Sequence, residues 1–222
     1  MKTIISRYLY FTLGIIISSF GIALITKSNL GTSQISSIPY VISLAFPIFN
    51  FGLTTFIFNI VFIIIEICIL RKNFKPIQSL QLIATIIFSI FIDISMNLLY
   101  FIQPENFLLQ ISILILGCFI LALGICIEVA PNVVVIPGEG VVRALFLAII
   151  CKKPSIKFGT IKIYFDITLI LIATLLSFFF FNALNGIGIG TILAGLFTGK
   201  FINIINKHIK FIETIRSLQY QK

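Results

Sequence analysis

Charge is scarce in this chain. Of its 222 residues, 10% are Asp, Glu, Lys or Arg and 59% are apolar, and the mean hydropathy is +1.17. Average soluble domains carry roughly 25% charged residues, because much of a soluble surface must face water. That shortage excludes a water-soluble globule and makes the lipid bilayer the chain's solvent. Histidine is limited to His208, in a basic tail, so no imidazole cluster can hold a metal. The four cysteines, Cys68, Cys118, Cys126 and Cys151, lie in or beside apolar runs without C-x-x-C spacing. Zinc and redox centres need close, paired ligands, so neither these centres nor a cofactor is expected. No G-x-x-x-x-G-K-[ST] loop and no H-E-x-x-H motif occurs. ATP hydrolysis would need a separate ATPase subunit, and the chain is not expected to be an enzyme.

What charge there is carries one sign in excess, with 16 basic against 7 acidic residues. A net charge of +9 could signal nucleic-acid binding. The basic residues instead form short clusters between apolar runs, the pattern of membrane loop anchors. Nucleic acid is not an expected partner.

A helix needs about 20 mostly apolar residues to cross roughly 30 Å of hydrocarbon. Six runs meet that length: Tyr8–Thr26, Asn50–Leu70, Leu80–Ile102, Phe107–Val129, Gly159–Phe181 and Gly186–Ile205. The first continues into Ile25-Thr26-Lys27 without a small-residue cleavage site, so it reads as a retained span rather than a signal peptide. Lys2 and Arg7 precede it; Arg71, Lys72 and Lys75 follow the second span; Lys152, Lys153 and Lys157 follow the fourth; Lys207, Lys210, Arg216 and Lys222 follow the sixth. The alternate connections hold only Lys27. By the positive-inside rule both termini are cytoplasmic and the protein is a multi-pass plasma-membrane protein.

Two further apolar stretches, near 28–46 and 130–150, are broken by Gly and Pro. A crossing by either one alone would invert every later basic loop. They are expected to be short helices that dip into the membrane or lie flat on it.

The two halves repeat. Leu13-Gly14 and Gly21 match Leu116-Gly117 and Gly124 at an offset of 103, and Phe51-Gly52 and Asn59 match Phe158-Gly159 and Asp166 at 107. Each half holds three spans, an odd number, so the second half enters from the opposite side. The expected fold is all-α integral membrane: one membrane domain over residues 1–222, with inverted three-helix repeats over about 8–103 and 107–206. A broken segment follows the first helix of each repeat, and 207–222 form a basic tail. Inverted repeats are typical of transporters, with binding near the midplane where discontinuous helices meet.

Ordered along the chain are Ser28-Asn29-Leu30-Gly31-Thr32-Ser33, Pro39, Phe51-Gly52-Leu53-Thr54 and Phe91-Ile92-Asp93, then Ile136-Pro137-Gly138-Glu139-Gly140, Phe158-Gly159-Thr160 and Gly188-Ile189-Gly190-Thr191. In this order the chain resembles the YczE/YyaS/YitT family of bacterial membrane proteins, from about Arg7 to Ile205. The resemblance implies a multi-pass membrane protein and supplies no substrate. Family members often carry a Pro-Trp pair where this chain has Ser33-Gln34-Ile35, and the chain has no Trp.

Ionisable groups inside spans are expensive and usually face a bundle interior or cavity. Asp93, with Asn97 one turn on, reads as a solute or proton site or as an interhelical bond. Asn59 and Asp166 occupy equivalent repeat positions. Glu66 is expected to pair with Arg71. In Pro137-Gly138-Glu139-Gly140-Val141-Val142-Arg143, the prolines interrupt any helix, and a helix restarting near Glu139 would pair it with Arg143 at i, i+4. The same helix start could instead hold an anion. Glu128 ends the fourth span beside this turn. Gly195 and Gly199 form a G-x-x-x-G step suited to close helix packing. The expected function is a small-solute transporter or substrate-binding membrane subunit; the alternative is a scaffold or regulator that binds another membrane protein.

Overall fold

The computed structural model describes residues 2–150 and 155–218; Cys151, Lys152, Lys153 and Lys222, named above, lie outside them. Among the described residues are nine α-helices and no strand: α1 (Lys2–Lys27), α2 (Ser37–Ala45), α3 (Phe51–Leu70), α4 (Leu80–Leu98), α5 (Phe107–Val129), α6 (Pro137–Ile150), α7 (Phe158–Phe181), α8 (Ile189–His208) and α9 (Lys210–Ser217). Two short 3-10 turns, Arg71–Asn73 and Pro76–Ser79, join α3 to α4. Six helices, all but α2, α6 and α9, are long and apolar enough to cross a membrane. Their outward faces are oily: Phe179 is 79% exposed and Leu175 71%. In water such a surface would aggregate; in hydrocarbon it is at home.

The span limits match the apolar runs closely; α8 runs three residues past Ile205 to His208, and three other ends differ by three residues or more. α1 begins at Lys2, six residues before the apolar run, since its polar first turns cost nothing helical. α4 stops at Leu98, short of Ile102, in turns before Pro104. α8 starts at Ile189, because Gly186 takes a left-handed φ of 77° and Gly188 is extended. Asn50 and Asn106 cap α3 and α5 by accepting the backbone N–H of Leu53 and Leu109, the usual way to satisfy a free helix-end donor.

The centre of the bundle is the crossing of α1 and α5. A Cβ at Gly14 would lie under 3.0 Å from the backbone of Glu128, one at Gly21 from that of Leu121, one at Gly117 from that of Ile25 and one at Gly124 from that of Ser18. Position numbers rise on one helix as they fall on the other, so the two helices are antiparallel. The four contacts are reciprocal: adding 103 to Gly14 and subtracting it from Glu128 yields Gly117 and Ile25, and the same exchange turns Gly21–Leu121 into Gly124–Ser18. Backbones approach this closely only where side chains are absent, which is how helices associate without a hydrophobic drive from lipid.

Around this pair the helices pack in matched sets. α4 lies on α1 as α8 lies on α5; α6 lies on α3 as α2 lies on α7; α2 packs on α3 as α6 packs on α7. The broken segments α2 and α6 meet at their starts, where Gly138 abuts Ile35, again 103 positions apart. Both are entered through a left-handed asparagine, Asn29 (φ 60°) and Asn132 (φ 50°), at the same offset. Asparagine tolerates this conformation better than most residues.

One pairing lacks its twin. α3 packs along α4, whereas α7 packs on α2 and α6 rather than along α8. Beyond the spans, α9 folds back against α5 and α8 with Ile212 and Ile215 buried, and Arg216 donates to the Asn206 amide oxygen at 2.8 Å. This basic tail therefore contains a docked amphipathic helix, which its mixed charge conceals in sequence.

Candidate functional site

Small hydroxyl residues are tolerated inside apolar helices because they can bond their own backbone one turn earlier. Ser19 and Thr26 do so on α1, and Thr54 and Thr55 on α3. Ser18 does not. Its hydroxyl is 1% exposed as a residue, has no hydrogen-bond partner, and faces a cavity of about 160 Å³ at the heart of the bundle. Each of α1 to α8 contributes to the wall of that cavity.

Four of the residues singled out in sequence meet there: Asn59 on α3, Glu128 on α5, Glu139 on α6 and Asp166 on α7. Asn59 is 2% exposed and its amide nitrogen has no partner. A buried donor left unmade costs about 1–3 kcal/mol, so this atom asks for an acceptor. Glu128, also 2% exposed, is fixed by the close approach of Gly14 to its own backbone. Its carboxylate accepts the backbone N–H of Ile136 and interacts electrostatically with Glu139. Glu139 stands in the first turn of α6, where a carboxylate complements the helix dipole. Asp166 sits 3.6 Å from Lys162, one turn earlier on α7, and its other carboxylate oxygen is unpartnered.

Sequence reasoning passed over Lys162 and Gln34. The Gln34 amide donates to the Thr191 carbonyl at 2.6 Å, while the Thr32 N–H donates to the Thr191 hydroxyl and the Gly190 N–H to the Leu30 carbonyl. Those bonds stitch the first broken segment to the start of α8. Gly195 makes room for the Gln34 side chain, and Gly199 has no atom within 4 Å of a Cβ position. The G-x-x-x-G step therefore does not serve helix packing as expected; one glycine seats an amide and the other lines the cavity.

Three of the singled-out residues lie elsewhere. Asp93 accepts the backbone N–H of Gly52 at 2.6 Å, closing the first turn of α3 onto α4. Asn97 is exposed in the last turn of α4. Arg143 is exposed and lines a second, wider cavity of about 690 Å³ with Glu66, Gln78 and Gln81. The expected Glu139–Arg143 pair does not form: Lys162–Asp166 is the one ion pair among the described residues. Arg143 turns instead toward the field of Glu66. Nor does Glu66 pair with Arg71, which ends α3 at a φ of 49° with its side chain exposed; Glu66 accepts from the Gln78 amide at 2.6 Å.

The aromatic rings Phe58, Phe62 and Phe88 and the aliphatic Ile22, Leu121 and Ile125 supply the apolar remainder of the wall. A concave, mostly apolar space with a few convergent polar groups has the form of a small-molecule site.

Residues 5–207 match the model of a family of unknown function (DUF6198), and the chain belongs to that family. No curated protein matches the chain, and no solved structure does.

Proposed function

We propose that this protein is a small-solute carrier of the plasma membrane, built from two inverted three-span repeats with the central cavity as its solute site. The observation that carries this reading is the reciprocity at an offset of 103. The four glycine contacts between α1 and α5, the Ile35–Gly138 contact and the paired Asn29 and Asn132 all follow one two-fold exchange. A two-fold axis relating antiparallel equivalents lies in the membrane plane, and it passes beside the cavity. Helix starts that meet at mid-depth are the usual setting of a transporter's site. Unpartnered Asn59 and Ser18 facing that space support binding rather than mere packing. A carrier function assigns these groups to recognition and none to bond chemistry.

The basic connections at Arg71–Lys75, Lys157 and Lys207–Arg216 support an orientation with cytoplasmic termini. On that orientation α7 begins and α8 ends on the cytoplasmic side. The loosely packed seam between them, with Gly199 in the cavity wall, supports access to the cavity from the cytoplasm. The matching seam between α3 and α4, on the outer side, is closed by Asp93 and Gly52.

The test is a thermal-shift screen of the purified full chain against small solutes, followed by uptake into proteoliposomes. A ligand that binds only the folded form raises its apparent stability. A solute should stabilise the wild type, lose that effect with Asn59→Ala, and be taken up by vesicles. Stabilisation equal in wild type and Asn59→Ala for every active solute would count against the site; a partner membrane protein co-purifying irrespective of these substitutions would favour a scaffold.

A further inference from the structure

The charges around the cavity do not balance. Its wall contains three carboxylates, Glu128, Glu139 and Asp166, and one amine, Lys162. The amine is already engaged with Asp166 at 3.6 Å. Helices α1 to α4 and α8 and the segment before α2 contribute no ionisable side chain to the wall. Glu128 and Glu139 are thus left as two like-charged groups, within electrostatic reach of each other and without a basic partner among the described residues. Uncompensated charge in a low-dielectric interior is costly. Two carboxyl groups placed in this way are relieved either by holding a proton or by a positive charge from outside the protein, and an ammonium supplies both at once.

Two features say what kind of cation. No group of three His, Cys, Asp or Glu side chains that could hold a metal ion occurs among the described residues, so the wall is not built as a transition-metal site. The rest of the wall offers the faces and edges of Phe58, Phe62 and Phe88, which suit a desolvated ammonium through cation–π attraction. Its volume of about 160 Å³ compares with the roughly 150 Å³ engineered cavity that takes up benzene. Asn59 adds a donor for an acceptor on the same solute; it is buried, unpartnered and independent of the acidic pair.

Resting on the carrier reading above, we infer that the solute is a small organic cation, its ammonium held between Glu128 and Glu139 and its apolar body against the phenylalanine wall. Glu128 is the more committed of the two recognition groups, since its carboxylate is held in place by the Ile136 N–H, while Glu139 is half-buried and freer to adjust.

Three probes of nearly equal size separate charge from shape: benzylamine, benzyl alcohol and benzoate. Their binding to the detergent-purified full chain is measured by equilibrium dialysis. Benzylamine is expected to bind wild type at least about thirtyfold more tightly than either isostere, the scale on which losing one partner of a buried charge pair acts. Glu128→Gln should abolish that preference, and Glu139→Gln, at a less buried position, should weaken it while leaving the protein folded. Asn59→Ala is the control for the two probes that carry an acceptor oxygen, and Asn59→Phe, which fills the space with a ring, is the control for the cavity itself. Benzyl alcohol or benzoate binding as tightly as benzylamine, yet lost with Asn59→Ala, would overturn the cation class and leave the carrier reading standing. A benzylamine preference that survives both glutamate substitutions, or binding of no probe at all, would overturn the inference as well. Binding of all three untouched by Asn59→Phe would also overturn it, and would sink the cavity as the site.

Discussion

Two helix pairs in this bundle, α3 with α4 and α7 with α8, differ in how they pack. Between α3 and α4 the seam is shut: Gly52 has no side chain, the Asp93 carboxylate takes its N–H at 2.6 Å, and a Cβ there would strike the Ser89 carbonyl and Asp93. Between α7 and α8, Gly159 faces nothing within 4 Å, and neither does Gly199. One pair is thus packed shut and the other stands apart along its length. Asp93 bridges the first pair, and no acidic side chain bridges the second among the described residues. For a carrier, those two forms are the natural end points of alternating access, reached by rocking one repeat against the other.

The comparison is broken most forcefully at the glycines. Gly52→Ala should lower stability by about 1–3 kcal/mol, the usual cost of overpacking, read as a fall in thermal midpoint in detergent. Gly159→Ala, the equivalent change on the open seam, should be neutral or stabilising by up to about 1 kcal/mol through helix propensity. Equal losses at both sites would mean that the seams do not differ. A step smaller is Asp93→Ala, which strips the Gly52 N–H of its acceptor and should cost about 1–2 kcal/mol. Asp93→Asn keeps an acceptor oxygen and should recover most of that loss; failure to do so would transfer the effect to charge. The smallest change is expected where both partners of the ion pair are neutralised together, in Lys162→Met with Asp166→Asn. That pair is about a third exposed on the lysine side, and such pairs contribute roughly 0–1 kcal/mol. A large loss there would show that the open seam is held by more than the helices' separation.

Much of this architecture was legible beforehand, for reasons of length and solvent. Six runs long enough to cross hydrocarbon had to be helices, since no other single segment satisfies its backbone there. Their ends matched within a few residues because Asn50 and Asn106, which cap α3 and α5, are polar stops. Among the candidate site residues, Glu128, Glu139, Asn59 and Asp166 declared themselves as polar groups in apolar surroundings, and the cavity gathers all four. Asp93 carried the same signal and lies elsewhere, because its partner is a backbone N–H 41 positions away whose availability depends on Gly52 having no side chain. Ser18 and Gln34 gave no signal at all. A serine in an apolar helix normally bonds its own backbone, as Ser19 does, and only three-dimensional packing shows that its neighbour is left unpaired. Lys162 was hidden for a related reason: at the cytoplasmic end of a span a lysine reads as an anchor, whether or not a carboxylate lies one turn on.

Accessibility of the cavity from one face alone is the claim most open to direct measurement. In a background with Cys68, Cys118, Cys126 and Cys151 replaced by serine or alanine, Asn59→Cys is challenged with a membrane-impermeant maleimide on intact cells and on inside-out vesicles. Labelling in inside-out vesicles, with none on intact cells until Asp93→Ala is added, is the expected result. Labelling of Asn59→Cys on intact cells while Asp93 is present would contradict the closed outer seam and the account built on it.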